Sequence, residues 1–163
     1  MPKAVRRTLH RVPLVLAACL CSARAIAGEP LPTVASINVC AGQHLLALAD
    51  PEQILTVSWL AADPEESLFA TEARGHILNY GTAEELLKFA PDVVLAGTYT
   101  SPFARTMLRR LGYYVVELEP EESIADIERN VRVVAAAVKQ SARGERLLAT
   151  LHADVRAAEV NRP

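Results

Sequence analysis

Residues 82–97 read Thr-Ala-Glu-Glu-Leu-Leu-Lys-Phe-Ala-Pro-Asp-Val-Val-Leu-Ala-Gly and place a helix directly before a strand. Thr82 and Glu85 have the spacing of a capping box, in which each side chain bonds the other residue's backbone, so we expect a helix to begin here. The helix ends before Pro91, because proline disfavours helical backbone in the residue before it. We expect three of its apolar side chains to point inward: Leu86, Leu87 and Phe89.

The apolar stretch after this helix predicts a strand. Residues 92–96 are apolar after the initial aspartate, which is typical of a strand covered on both faces, and Gly97 ends it. Three other β-branched or apolar runs predict strands at residues 33–39, 54–58 and 113–118. Strands that alternate with helices at this spacing predict the α/β class, a parallel sheet with flanking helices.

The remaining helices are predicted from their caps and apolar spacing. Residues 41–49 form one helix, and Ser101-Pro102 begins another that Gly112 ends. Residues 63–66, Asp-Pro-Glu-Glu, are expected to open an acidic helical turn. After the fourth strand the pattern becomes entirely helical, first over 123–139 and then, past a polar break at 139–144, to residue 160.

The first 27 residues have the three parts of a secretory signal peptide. A basic start without acidic residues precedes a short apolar stretch, 12–21, and a run of small residues. Ala25-Ile26-Ala27 before Gly28 fits the small-x-small cleavage rule, and so does Ala23-Arg24-Ala25. Three alternatives stay open: a buried core helix, a lipid anchor on Cys19 after the lipobox-like residues 16–19, and a twin-arginine signal at Arg6-Arg7.

Removal of the signal changes the charge of the chain. It takes away five basic residues and no acidic ones, so the formal net charge falls from -2 to -7. An acidic chain without a basic stripe is not expected to bind nucleic acid. No apolar run reaches the roughly 18 residues of an ordinary transmembrane helix, which excludes a polytopic membrane protein.

The sequence carries no common catalytic or metal-binding motif: GxGxxG, a P-loop, HExxH, GxSxG and CxxC are all absent. His44 and His76 lack the spacing of metal ligands, so we predict no cofactor and no metal site. Cys40 is the one cysteine left after signal removal. We expect it to be a small buried residue at a strand end, with a reactive thiol as the alternative.

Ligands of open parallel sheets bind outside the carboxyl ends of the strands. Here those ends are richer in polar groups than the strands, and they comprise residues 38–43, 58–60, 97–100 and 119–122.

Two longer motifs resemble a known family. Residues 82–96 match a family pattern of a Glu/Leu helix followed by aromatic/Leu-x-Pro-Asp-Leu/Val-Val-Leu/Ile, and residues 108–115 match Leu-x-x-Leu-Gly-Ile/Tyr-x-Val. Together with residues 36–43, Ser-Ile-Asn-Val-Cys-Ala-Gly-Gln, they make the chain similar over residues 33–160 to the periplasmic substrate-binding proteins of ABC importers for iron–siderophore, haem and vitamin B12.

The resemblance implies two Rossmann-like lobes joined by one long helix, with the ligand between them. On that basis residues 1–27 are the signal peptide, 28–139 the N-terminal lobe and 140–163 the start of the interlobe helix. The C-terminal lobe is then missing from this sequence, so we expect a truncated member of the family.

The resemblance also implies which residues act. We expect ligand contacts at the strand ends from Asn38, Gln43, Trp59, Tyr80, Tyr99 and Thr100. Trp and Tyr suit a large flat or chelated ligand, because they combine an apolar face with a hydrogen-bonding tip. Glu72, in the stretch Thr71-Glu72-Ala73-Arg74, matches the family's exposed glutamate that docks on arginines of the membrane permease.

The predicted function is therefore non-enzymatic. We expect an exported, periplasmic and monomeric solute-binding component of an ABC importer, with an iron complex (siderophore or haem) or cobalamin as ligand and the inner-membrane permease as partner. Two alternatives remain, a single-lobe interaction module without a ligand and a small exported α/β enzyme; the missing catalytic motifs disfavour the enzyme.

Overall fold

Five parallel strands form one sheet within residues 29–161, the part of the chain that the computed structural model describes. Their order across the sheet is β3-β2-β1-β4-β5, and every neighbouring pair is parallel. The α/β fold with a parallel sheet and flanking helices is thereby confirmed. The strands are β1 (Val34–Ser36), β2 (Ile54–Ser58), β3 (Ile77–Asn79), β4 (Val93–Gly97) and β5 (Tyr114–Leu118).

Helices cover both faces of the sheet. Helices α1, α5 and α6 contribute to the core on one face, and α3 and α4 pack on the other. Within the described residues, no helix combines the length and the apolar character needed to cross a membrane. The helices are α1 (Val39–Leu48), α2 (Ala70–Ala73), α3 (Ala83–Leu86), α4 (Pro102–Arg110), α5 (Ile124–Ala137) and α6 (Ser141–Val160).

The core is centred on β1 and β4. Side chains of a strand alternate between the two faces, so Val34 and Leu95 point to the α1 side while Ala35 and Val94 point to the α3 side. All four are fully buried. Burial of each large aliphatic side chain contributes roughly 1.5–3 kcal/mol, so this layer stabilises the sheet on both faces.

The first strand is shorter than predicted. Residues 33–39 were expected to be extended, but β1 ends at Ser36 and α1 begins at Val39. The reason is Asn38, whose Oδ1 accepts a hydrogen bond from the Ala41 N–H at 3.1 Å and caps α1. Cys40 consequently lies exposed in the first turn of a helix, and the expectation of a buried strand-end residue was wrong.

Strand β3 was not predicted from the sequence, from which we expected four strands. It has three residues and lies at the edge of the sheet, and two of its side chains are exposed, Ile77 by 57% and Leu78 by 40%. A run of three residues is too short to show a hydrophobic period.

Of two local expectations near α2 and α3, one was wrong. Residues 63–66 form a single turn as expected: Asp63 Oδ1 accepts from the Glu65 N–H at 2.9 Å and Asp63 O accepts from the Ser67 N–H at 2.9 Å, although no longer helix follows. Leu87 is 48% exposed instead of inward, because α3 is a single turn that ends at Leu86. The predicted capping box of Thr82 and Glu85 is present.

The junction of α5 and α6 is sharper than the predicted polar break. Lys139 has a positive φ of 57°, and α6 begins two residues later. Gly144 allows the two helices to approach closely, since a Cβ there would lie 2.6 Å from Ala135 Cβ. The predicted signal peptide, including Cys19, lies outside the described residues.

A buried asparagine joins the missed strand to its neighbours. Asn79 is 1% exposed, and its Nδ2 donates to Ser36 O at 2.9 Å and to Thr56 Oγ1 at 3.0 Å. Its Oδ1 accepts from the Gly81 N–H at 3.0 Å. One amide thus connects β1, β2 and β3.

We expect Asn79→Ala to lower the free energy of unfolding by about 2–4 kcal/mol, since it leaves buried polar groups without partners. Urea unfolding followed by circular dichroism measures the change. Thr150→Ala is the control, because Thr150 is exposed on α6 and alanine is favourable in a helix. Equal stability of both variants would contradict the role given to the Asn79 amide.

Candidate functional site

The carboxyl ends of all five strands meet at one edge of the sheet, because the strands are parallel. The chain runs outward from β1 through β2 to β3, and then returns to the other side of β1 to form β4 and β5. The direction therefore reverses between β1 and β4, which is where ligands bind in open α/β sheets.

Asn38 lies at this reversal point and is held in place from two sides. Besides capping α1, its carbonyl oxygen accepts from Ser36 Oγ at 2.8 Å. Gly97, at the end of β4, faces it so closely that a Cβ would lie 3.1 Å from the Asn38 amide. The glycine at this position leaves room for the Asn38 side chain next to the end of β4.

Three aromatic side chains border a pocket of about 240 Å3, here called the aromatic pocket, lined also by Asn38 and Thr100. Trp59 follows β2, Tyr80 follows β3 and Tyr99 follows β4; they are 44%, 73% and 85% exposed. The rings of Trp59 and Tyr80 lie 6.0 Å apart at an interplanar angle of 37°. Large aromatic surfaces this exposed present apolar area to a ligand.

Thr100 supports the pocket from inside the protein and exposes little of its own side chain. Its side chain is buried, and Oγ1 accepts from the Gly97 N–H at 3.0 Å. This bond fixes the turn that carries Tyr99.

A second pocket of about 330 Å3, here called the acidic pocket, shares Asn38 and Tyr99 with the first. The loop after β5 lines it with three carboxylates, those of Glu119, Glu121 and Glu122. Tyr99 thus stands between an aromatic and an acidic region.

Glu121 is held by two neighbours that the sequence analysis did not assign to the site. Its Oε1 lies 2.5 Å from His44 Nε2 on α1 and 2.9 Å from Asn130 Nδ2 on α5. Asn130 also donates to Glu119 O at 2.8 Å. In the sequence, the feature that could have identified Asn130 is its position as a polar residue next to Val131 on the buried side of an amphipathic helix.

Two expected site residues lie away from the aromatic pocket. Gln43 accepts from the Leu68 N–H at 3.1 Å and borders a groove between α1, α5 and α6. Glu72 is exposed on α2. The structure therefore brings together Asn38, Trp59, Tyr80, Tyr99 and Thr100, and leaves Gln43 and Glu72 outside this group.

Cys40 lines the acidic pocket beside Glu121. Desolvation and, after it, the negative charge of Glu121 raise the pKa of the Cys40 thiol above its ordinary value. A thiol with a raised pKa is protonated at neutral pH and is a poor nucleophile. Among residues 29–161 no group of three His, Cys, Asp or Glu side chains is arranged to hold a metal ion.

We expect the Cys40 thiol to be alkylated by iodoacetamide more slowly at pH 7 than in the urea-unfolded chain. Glu121→Gln should increase the rate in the folded protein, since it removes one cause of the raised pKa. Mass spectrometry of the Cys40 peptide across a pH series measures both rates. A folded protein that reacts faster than the unfolded chain would refute this assignment.

No protein-family model matches the sequence, and no curated protein is significantly similar to it. Solved structures, however, share the fold. The apo periplasmic heme-binding protein RhuT from Roseiflexus sp. RS-1 has a TM-score of 0.65 at 24% identity, over 79% of this chain and 49% of that one.

Two proteins of Vibrio cholerae give similar values. The periplasmic heme-binding protein HutB matches with a TM-score of 0.67 at 18% identity, over 81% of this chain and 51% of its own. The periplasmic vitamin B12-binding protein BtuF matches with a TM-score of 0.63 at 18% identity, over 80% and 51%. The chain spans about half the length of these proteins, and its fold is that of one half of a periplasmic heme- or vitamin B12-binding protein.

Proposed function

We propose that this chain is the N-terminal lobe of an exported solute-binding component of an ABC importer, with haem, a ferric siderophore or cobalamin as ligand. The observation that carries the proposal is the aromatic pocket at the reversal point of the sheet. The role is binding rather than catalysis.

The geometry of the aromatic pocket suits a broad, flat ligand. Trp59 and Tyr80 lie on one side of the reversal point, after β2 and β3, and Tyr99 follows β4 on the other. A macrocycle laid across the edge of the sheet contacts all three rings, and each ring supplies apolar area with few rotatable bonds to immobilise.

Two further features support a transport role. The three solved structures named above are periplasmic binding proteins for heme or vitamin B12. The first 27 residues read as an export signal, which would deliver the chain to the same compartment. We propose Gly28 as the start of the mature chain, with lipidation of Cys19 as the alternative.

We propose the division of the chain that the family resemblance implies: residues 28–139 form the lobe, and residues 140–163 begin the helix that leads to a second lobe. The match to about half of each solved structure supports this division. The rings of Trp59, Tyr80 and Tyr99 are exposed on this lobe, so a second lobe would supply the opposite wall and bury the rest of the ligand.

We expect haem, cobalamin or a ferric siderophore to bind the purified protein at micromolar or weaker affinity. Tyr99→Ala should weaken binding of that ligand about tenfold, since it removes a largely exposed aromatic surface from the site. Absorbance titration of the Soret or corrin band measures the affinity for the coloured macrocycles, and fluorescence quenching of Trp59 measures it for siderophores.

Tyr114→Ala is the matched control for this experiment. Tyr114 is 64% exposed, but it begins β5 at the opposite, amino edge of the sheet. Its loss should leave the affinity unchanged. If none of the three ligand classes binds, and none binds a version carrying a second lobe, the transport proposal fails and a single-lobe interaction module becomes the better explanation.

Glu72 is proposed as the docking residue for the membrane permease. It is exposed on α2, and none of the ion pairs among the described residues involves it, so its carboxylate is accessible to an arginine of a partner.

We expect Glu72→Arg to weaken permease association about tenfold, mainly through a slower on-rate that depends on salt. Surface plasmon resonance with the permease in detergent measures the rates. Glu159→Arg, an equal charge change on the exposed part of α6, should have little effect. Identical rates for both variants would show that Glu72 is not the docking residue.

A further inference from the structure

We propose that the acidic pocket makes the site selective for the charge of its ligand: the part of the ligand next to the loop after β5 is neutral or cationic, and anionic groups are rejected there. The proposal rests on the proposed function, since it concerns the same site. It restricts the charge of the ligand, which the fold alone does not specify.

The lining of the two pockets carries charge of one sign only. Neither the aromatic nor the acidic pocket is lined by a lysine or an arginine of the described chain. The acidic pocket is lined by three carboxylates, and the aromatic pocket by no charged side chain. A ligand carboxylate or phosphate placed there would find no cationic partner on this lobe.

The three carboxylates differ in whether a neighbouring side chain is bonded to them. Glu121 lies against His44 and Asn130, which satisfies its oxygen and holds it in place. Glu119 and Glu122 are exposed, and neither takes part in an ion pair within residues 29–161. Glu119 and Glu122 therefore contribute two negative charges that no ion pair of the described chain offsets, next to the charge of Glu121.

Helix N-termini add partial positive charge near the carboxylates, but not enough to make the pocket positive. The amino ends of α1, α4 and α5 all lie near this edge, and each contributes about half a positive charge. The end of α5 is already occupied by Asp126, whose Oδ2 accepts from Ser123 Oγ and from the Glu122 N–H. About one positive charge from α1 and α4 remains against two unpaired carboxylates, so the pocket is net negative.

The two pockets are neighbours, and Asn38 and Tyr99 line both of them. A flat ligand that stacks on Tyr99 in the aromatic pocket therefore extends its edge toward Glu119 and Glu122. This places the charge of that edge within range of the carboxylates, and it follows that ligands with anionic edges must turn them away from this loop.

Two porphyrins of similar size and opposite charge test the proposal directly. The probes are a tetracationic tetra(N-methylpyridyl)porphyrin and a tetraanionic tetra(sulfonatophenyl)porphyrin, titrated into the purified protein and followed by Soret absorbance. We expect the cationic probe to bind at least about tenfold more tightly at low salt, with the difference shrinking at 0.5 M salt because screening removes it.

The double variant Glu119→Gln/Glu122→Gln should reduce the preference to within about threefold. Glu52→Gln/Glu84→Gln is the matched control: both residues are exposed and outside the two pockets, and the preference should persist. Tyr99→Ala should weaken binding of the cationic probe. This result would show that the probe binds at the site lined by Tyr99.

The outcomes separate the two proposals. Equal affinities for both porphyrins, or a preference equally lost in the control, overturn charge selection while leaving a macrocycle-binding site in place. If neither porphyrin binds and haem, a ferric siderophore and cobalamin also fail, the proposed function falls and this inference falls with it.

Discussion

The close approach of β1 and β4 at their carboxyl ends is the constraint on which the site depends. Gly97 faces the capping amide of Asn38 so closely that a Cβ at residue 97 would lie 3.1 Å from it, and the amide would have to shift by a few tenths of an ångström. Because α1 begins directly at Asn38, the same contact sets the start of the helix that carries Cys40 and His44. Sheet, helix and pocket are therefore positioned by one steric fit.

From this point the strand ends divide the site into two regions of different chemistry. The ends of β2 and β3 supply the rings of Trp59 and Tyr80, while the loop after β5 supplies carboxylates and no cation. Tyr99 at the end of β4 belongs to both regions. For the proposed ligand, an apolar wall would supply contact area and an acidic wall would favour one orientation of its charge.

Sequence reasoning predicted those parts of the fold that have strong local signals. The strand at 54–58, the capping box of Thr82 and Glu85, and the helix begun by Ser101 all match the structure, because periodicity and caps are local properties. The edge strand β3 was missed because three residues carry no period, and its pairing depends on the buried Asn79, a contact distant in sequence.

The site followed the same rule. Residues directly after predicted strands, such as Trp59 and Tyr99, were proposed from the rule for open parallel sheets together with the family resemblance, and they line the aromatic pocket. Asn130 was not, because it reaches the site from the middle of α5, and His44 gains its place only through the pairing with Glu121. Contacts between elements that are far apart in sequence leave no pattern in a single chain.

Helix α6 has a mechanical consequence that follows from its burial. Of its 20 residues only Gly144 and Leu148 are buried, both in the first half, where Arg143 also bonds Asp50 and two carbonyls at the end of α1. Contacts to α5 continue to His152, whose Nε2 lies 2.7 Å from Glu128 Oε1, and the residues from there to Val160 extend about 12 Å at 1.5 Å per residue. A tilt of about 10° at His152 displaces the end of α6 by about 2 Å, so small changes in the packing of α5 against α6 are transmitted along this segment.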